Sequence, residues 1–334
     1  MSYTEIDFNN KTILITGGAG FIGSNLALYF QKKFSKSKIV IFDSFRNDVT
    51  FSNGNLISFG HFGNLIGFKG DIICGNINNQ LDGRLLDKFK FDFIFHQAAI
   101  SDTRIYNQEI IMKTNVNSFY DLLFRAKKDG ASMIYASSAA TYGNLPSPQT
   151  VGYEQPENPY GFSKYAMDQI AIKYSKENPS LSIVGLRLFN VFGPNEFYKA
   201  KTASMVSQLG LQILNGEAPR LFKNSAKIFR DFIYIEDVIQ GFLRACSPKK
   251  NGIYNIGTGI SRSFQEIADI LQKEFGTNLD CNYFSNPFDD YQTHTQANIK
   301  DSTINLGFIP NYSLEQGIKS YSKEIKRLHK SKII

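Results

Sequence analysis

The run Gly17-Gly18-Ala19-Gly20-Phe21-Ile22-Gly23 constrains this chain more than any other feature. It follows an apolar, β-rich stretch at residues 12–16 and opens a helical pattern over 22–33. Each spaced glycine answers a steric demand. Gly17 makes the tight turn, Gly20 lets the backbone approach a pyrophosphate, and Gly23 lets helix and strand pack closely. The unpaired N–H groups at the helix start then attract the anion. A second strand pattern, residues 39–42, stops at Asp43, whose carboxylate suits an adenosine ribose. Strand, glycine turn, helix, strand and acid together predict a dinucleotide-binding βαβ unit. The form of the dinucleotide stays open at this point. Asp43 favours the free ribose hydroxyl of NAD, whereas Arg46 can bridge the 2′-phosphate of NADP.

Short apolar runs keep alternating with helical ones through the first half. Residues 91–95, 133–136 and 181–188 read as strands, and 115–128 and 160–176 as helices. This is the pattern of a parallel sheet covered on both faces. The stretch 47–69 is rich in Gly and Asn and reads as a loop with short helical pieces. Past residue 188 the pattern loosens, with helices expected over 202–215 and 263–275 between aromatic-rich segments. The predicted fold is therefore α/β: a Rossmann-like, doubly wound parallel sheet with a smaller mixed substrate-binding domain. Residues 1–188 are expected to form the dinucleotide-binding domain and 189–330 mainly the substrate domain, with the chain crossing back around 232–258.

Composition narrows the function classes. At 42% hydrophobic and 20% charged residues, the 334-residue chain is not intrinsically disordered. Its formal charge of +7 is scattered, which gives no argument for nucleic acid. The basic stretch 319–332 reads as a solvated helix end. No window approaches the ~18 consecutive apolar residues of a membrane span, and the polar start, with Glu5 and Asp7, does not read as a secretory signal. Cys74, Cys246 and Cys281 lie far apart, which excludes a disulfide framework and fits a reducing compartment. The four histidines show no ligand spacing. The expectation is a cytoplasmic, metal-free protein acting on a small molecule, with no nucleic-acid or membrane partner.

A second constellation points to chemistry. Tyr160 and Lys164 are i and i+4 on a helix that Pro159 introduces, so phenol and ammonium share one face. A nearby cation lowers a phenol from its reference of ~10, which predicts Tyr160 as a base. Ser137 and Ser138 follow the 133–136 strand, at the carboxyl edge where open α/β sheets bind ligands.

The segment Thr16 to Gly23 together with Ser138, Tyr160 and Lys164 resembles the extended short-chain dehydrogenase/reductase family, whose members use NAD or NADP and mostly modify nucleotide sugars. The resemblance implies a catalytic trio of Ser138, Tyr160 and Lys164, with Lys164 also on the nicotinamide ribose. It implies a cofactor groove of Phe21, Ile22, Asp43 and Ser44, then Asp71 and Ile72, then Gln97, Ala98, Ala99 and Ser101, with Asn115 and Val191. The family's dehydratases carry an acidic pair after the catalytic Ser or Thr. Here Ala139-Ala140 follows Ser138, which disfavours dehydration.

Within that family the chain is similar to the ADP-L-glycero-D-manno-heptose 6-epimerases over residues 11–321. The blocks that carry this are 135–143, 189–194, 199–205, 230–234 and 291–297. The resemblance implies NADP, a homo-oligomer, and oxidation at C6″ of the sugar with hydride return to the opposite face, for lipopolysaccharide inner-core heptose. Two carbonyl orientations then need two proton carriers. Tyr160 serves one, and Lys199 matches the lysine that serves the other. Lys201 stays open as its rival, because Ala200-Lys201 stands where Gly-Ser is frequent. The implied substrate contacts are Ser138, Asn190, Lys199, Lys201 and Gln208, with Phe222, Ser225, Arg230 and Tyr291. Arg230 also suits a diphosphate on its own chemistry, and His294 reads as structural. The competing readings are a UDP-hexose 4-epimerase, with Tyr160 acting alone, and a non-enzymatic dinucleotide sensor.

Overall fold

The computed structural model describes residues 3–287 and 292–331. Its strands are β1 (Thr12–Thr16), β2 (Lys38–Asp43), β3 (Asp71–Cys74), β4 (Phe93–His96), β5 (Ser132–Ser138) and β6 (Ile183–Leu188). The later ones are β7 (Asn190–Phe192), β8 (Arg220–Phe222), β9 (Phe229–Tyr234), β10 (Gly252–Ile256), β11 (Ser261–Ser263) and β12 (Asn282–Phe284). A seven-stranded sheet runs β10–β6–β5–β4–β1–β2–β3, and every pair in it is parallel. The strand order reverses between β1 and β4. A crevice opens at the carboxyl ends of such a reversal, because the flanking connections leave on opposite faces.

The helices are α1 (Phe21–Lys33), α2 (Gln80–Arg84), α3 (Gln108–Ile111), α4 (Ser118–Asp129) and α5 (Pro159–Glu177). They continue with α6 (Met205–Leu214), α7 (Ile235–Arg244), α8 (Phe264–Phe275), α9 (Lys300–Leu306) and α10 (Leu314–Lys330). The two faces of the sheet belong to separate apolar clusters, as side-chain alternation along a strand requires. Ile13 and Ile15 join Leu26, Phe30 and Phe242 on the side of α1 and α7. Leu14 and Ile94 join Phe119, Leu123 and Met167 on the side of α4 and α5. Burial on both faces explains the unbroken apolar character of these strands. No helix among the described residues is long and apolar enough to cross a membrane.

Two small sheets lie beyond β6. In one, β9 pairs β7 in parallel and β11 antiparallel; in the other, β8 pairs β12 in parallel. The chain re-enters the large sheet at β10, beside β6. The stretch 71–74, which has no strand signal beyond two isoleucines, is the edge strand β3; only Ile73 in it is buried. The basic segment expected as a solvated end is one face of α10. Its other face buries Ile318, Tyr321, Ile325 and Leu328, so it packs as an amphipathic helix.

Candidate active site

The carboxyl edge of the large sheet opens on a cleft of about 610 Å³. Gly17, Asp43, Gln97, Ser138 and Leu188 all line it from strand ends. Gly17 has φ +66, and a Cβ there would lie 2.6 Å from Ala98 N. Gly23 excludes a side chain for another reason, since its Cβ would meet the Gly17 carbonyl oxygen at 2.2 Å. The turn is therefore a bare-backbone cradle at the start of α1, with Gly20, Phe21 and Ile22 on its cleft side. Asp43 accepts the Ala19 N–H at 2.9 Å and the Phe45 N–H at 2.8 Å. Burial raises its pKa, and these two bonds pull it back.

Ser138 ends β5 and its Oγ accepts the Ala140 N–H at 3.1 Å. Asn158 caps α5 by accepting the Gly161 N–H at 2.9 Å, which fixes the first turn that carries Tyr160. Ser138 is the side chain that draws the phenol's pKa down. Lys164 lies one turn on, its Nζ donating to the Ala136 carbonyl at 2.8 Å and standing 6.0 Å from the Tyr160 ring centre. Burial lowers its pKa to about 8, while the charge of Asp168 works the other way. The expected lowering of the Tyr160 pKa by Lys164 is not what this geometry produces. Burial raises the phenol, and the group that draws it down is Ser138. The ammonium stands 6.0 Å from the ring centre and donates to a main-chain carbonyl rather than to the phenol.

Behind β5, Asp168 accepts from Tyr135 Oη at 2.8 Å, Ser137 Oγ at 3.0 Å and Arg187 Nε at 2.9 Å. Arg187 also reaches Glu154 at 2.6 Å. This buried network has no simple sequence signal, because its members come from β5, α5, β6 and a loop.

Lys199 and Lys201 sit in the same short helical segment, Phe197–Thr202, yet only Lys199 lines the cleft. Ala200 between them has φ +49 and ψ −123, and this kink separates the two side chains. Lys199 Nζ stands 5.6 Å from the Phe21 ring centre, and burial lowers its pKa against the opposing charge of Glu196. Glu196 is wholly buried, accepting from Gly193 N at 3.1 Å, Ser204 N at 2.7 Å and Ser204 Oγ at 2.8 Å. Lys201 is exposed and lies outside the cleft lining.

Among the other expected residues, Ser44, Ala98, Ala99, Ser101, Asn190 and Val191 line the cleft, as does Arg230. Arg230 Nη1 donates to the Phe229 carbonyl at 2.8 Å, and its guanidinium stands 5.7 Å from the Phe264 ring centre. The neighbouring Asp231 serves a turn instead, accepting from Thr258, Gly259 and Ala297.

Several expectations are corrected. Asp71 and Ile72 begin β3, with Asp71 opposite Val40, so they sit away from the carboxyl edge; the cleft residues there are Gly75, Asn76, Ile77 and Asn78. Asn115 is buried behind the cleft, where its amide bonds both the N–H and C=O of Ile100 and reaches Ser163 Oγ at 2.9 Å. It fixes the 97–101 loop, and Thr114 is the residue that lines the cleft. Gln208 donates to the Ala203 carbonyl at 2.6 Å, and Ser225 to Gln265 at 3.2 Å. Phe222 packs edge-on against Phe284 at 5.0 Å. None of these three lines the cleft. Arg46 donates to the Tyr198 carbonyl and also lies outside the lining. His294, expected to be structural, bonds Ser261 Oγ at 2.8 Å, away from the cleft. Tyr291 lies outside the described residues.

Residues 13–257 match the model of the NAD dependent epimerase/dehydratase family. A curated ADP-L-glycero-D-manno-heptose-6-epimerase of Brachyspira hyodysenteriae is 35% identical, over 94% of this chain and 98% of that one. The crystal structure of the Helicobacter pylori ADP-L-glycero-D-manno-heptose-6-epimerase is 47% identical with a TM-score of 0.88, covering 98% of this chain and 99% of that one. A UDP-glucuronic acid 4-epimerase from Bacillus cereus, solved with UDP-glucuronic acid and NAD, is 27% identical with a TM-score of 0.80, over 95% and 99%.

Proposed function

The chain belongs to the NAD dependent epimerase/dehydratase family, and from the contents of its cleft we propose that it is the isomerase that interconverts ADP-D-glycero- and ADP-L-glycero-β-D-manno-heptose at C6″. The observation that carries this reading is that Tyr160 and Lys199, two side chains chemically able to carry a proton, line the same cleft as the glycine turn from distant chain segments. The two ADP-heptose epimerases, at 35% and 47% identity over nearly the whole chain, support the sugar.

A dinucleotide fits the residues present. The cradle admits no Cβ at Gly17 or Gly23, and both polar atoms of the Gln97 side chain are buried at the cleft without a hydrogen-bond partner among the described residues. In this reading the glycine turn takes the pyrophosphate, Asp43 and Ser44 the adenosine ribose, and Lys164 the nicotinamide ribose. We read the cofactor as NADP. The reading rests on the ADP-heptose epimerases this chain resembles and on Asp43, whose charge already faces two backbone N–H groups, which weakens its repulsion of a 2′-phosphate; Arg46, held on the Tyr198 carbonyl outside the lining, gives it no support. Mass spectrometry of the nucleotide extracted from purified protein tests this; NAD alone would overturn it.

The chemistry the cofactor supplies when bound is reversible hydride storage, one hydride leaving C6″ and later returning to the other carbonyl face. The side chains handle the protons. In one orientation the Tyr160 phenol takes or returns the proton of the 6″ oxygen, with Ser138 bonding the same oxygen. In the other, Lys199 does so; its lowered pKa lets it give and take a proton closer to neutrality. Arg230 is placed for the diphosphate, where a guanidinium fork matches the oxygens.

Incubation with each ADP-heptose epimer, followed by NMR of the products, is expected to give the same mixture from either side. Inversion of a UDP-hexose at C4 with no action on ADP-heptose would refute the assignment. Tyr160→Phe and Lys199→Met are each expected to lower turnover by about 10²–10⁴-fold.

A further inference from the structure

The Lys199 segment is held from the cofactor side by a contact that the chemistry above does not use. His61 stacks on Tyr198, the residue before Lys199, with ring centres 3.6 Å apart and planes 14° from parallel. The His61 main-chain N–H donates to the Ala19 carbonyl at 3.0 Å, which anchors the residue on the glycine turn, and the ring Nδ1 accepts the Gly63 N–H at 3.0 Å. Asn64 Nδ2 donates to the same carbonyl at 3.0 Å. Arg46 grips the Tyr198 carbonyl, and the Arg46 N–H is held by the Gly60 carbonyl at 2.7 Å. The fit around the ring is close, because a Cβ on Gly63 would stand 2.5 Å from the Tyr198 hydroxyl.

This contact meets a backbone that needs restraint. Ala200, at φ +49 and ψ −123, occupies a conformation that an L-residue keeps only when its surroundings impose it. On the downstream side, Thr202 Oγ bonds the Lys199 carbonyl at 2.8 Å and the Ala203 N–H bonds the Ala200 carbonyl at 3.0 Å. On the upstream side, the Lys199 N–H bonds the Glu196 carbonyl at 2.9 Å, and the stack on Tyr198 and the grip of Arg46 add to it. Lys199 itself reaches back over the Phe21 ring, at the start of α1. One chain of contacts thus runs from the turn at Ala19 through His61 and Tyr198 to Lys199.

We propose that His61 is a positioning residue, which through its stack on Tyr198 sets the Lys199 amine in the cleft and ties its placement to the glycine turn. The proposal rests on the reading of Lys199 as the second proton carrier. His61→Ala removes the stack, and His61→Phe keeps it without the imidazole nitrogens.

Two measurements test this. Backbone hydrogen exchange at Lys199 and Ala203 is expected to quicken roughly tenfold in His61→Ala and to stay near the parent rate in His61→Phe. Rapid-mixing absorbance of the bound nicotinamide, started separately from each ADP-heptose epimer, reads the two proton carriers one at a time. His61→Ala is expected to slow reduction from one epimer only, the one that Lys199→Met also slows, and His61→Phe to restore it. Equal slowing from both epimers, unchanged exchange in His61→Ala, or no rescue by His61→Phe would overturn the proposal. If Lys199→Met slows neither epimer selectively, the two-carrier reading fails instead, and exchange alone then judges the clamp.

Discussion

Lys164 donates its ammonium proton to the Ala136 carbonyl at 2.8 Å, which ties the cation to β5 and leaves the Tyr160 phenol to Ser138. Burial brings this lysine to about 8, and Asp168, one turn further along α5, is the charge that holds it up. Its other charged or titratable surroundings are His96, which burial keeps neutral with a pKa of about 3, and Arg187 beyond Asp168. Turnover is expected to fall as pH rises through about 8, because the neutral amine no longer bonds as a cation. Asp168→Asn should move that limb to lower pH. A pH–rate profile of both proteins checks this, and an unmoved limb would remove Lys164 as its source. The stability effect has the opposite sense. The native lysine releases its proton at lower pH than the unfolded one, so its contribution to stability rises between pH of about 8 and the ordinary 10.5.

Arg187 lies fully buried between Asp168 and Glu154, and its guanidinium covers the Tyr142 ring at 4.9 Å. Arg187→Met leaves two carboxylates buried with fewer donors. It is expected to cost about 3–5 kcal/mol, the range for breaking a buried ion pair. Urea unfolding monitored by circular dichroism measures it.

Gly23→Ala drives a methyl toward the Gly17 carbonyl oxygen, which an unshifted backbone would place at 2.2 Å. The turn must open, and dinucleotide affinity is expected to fall at least tenfold, with a stability loss of about 1–3 kcal/mol. Calorimetric titration with NADP and NAD reads the first effect and thermal unfolding the second.

Ala200→Gly removes the strain of a positive φ at the kink between Lys199 and Lys201. The relief exceeds the extra unfolded-state entropy of glycine, so the variant is expected to gain about 1 kcal/mol. In a chain of this size that raises Tm by about 2 °C. A lowered Tm would show that the kink carries no strain.

Much of the nucleotide half was legible because its signals are local. The period of buried strands, the glycine turn, Asp43 at the end of β2 and the i, i+4 pair of Tyr160 and Lys164 need no partner from elsewhere to be recognised. The edge strand β3 was not legible, since only one of its four residues is buried and its pattern does not differ from a loop. The resemblance puts Asp71 in the cleft, whereas its register opposite Val40 sets it at the start of β3, away from the carboxyl edge.

What the amino-acid order determined by itself was the βαβ unit, the reactive side-chain types and their spacing on α5, because backbone sterics and helix geometry act within a few residues. What only the tertiary structure decided was which of those side chains meet. It separated Lys199 from Lys201 through one positive φ, turned Asn115 inward to hold Ile100, committed the Lys164 ammonium to Ala136, and set His61 against Tyr198. Each of these joins residues far apart in the chain or turns on a single backbone angle. Packing fixes such relations, and no periodicity in the sequence records them.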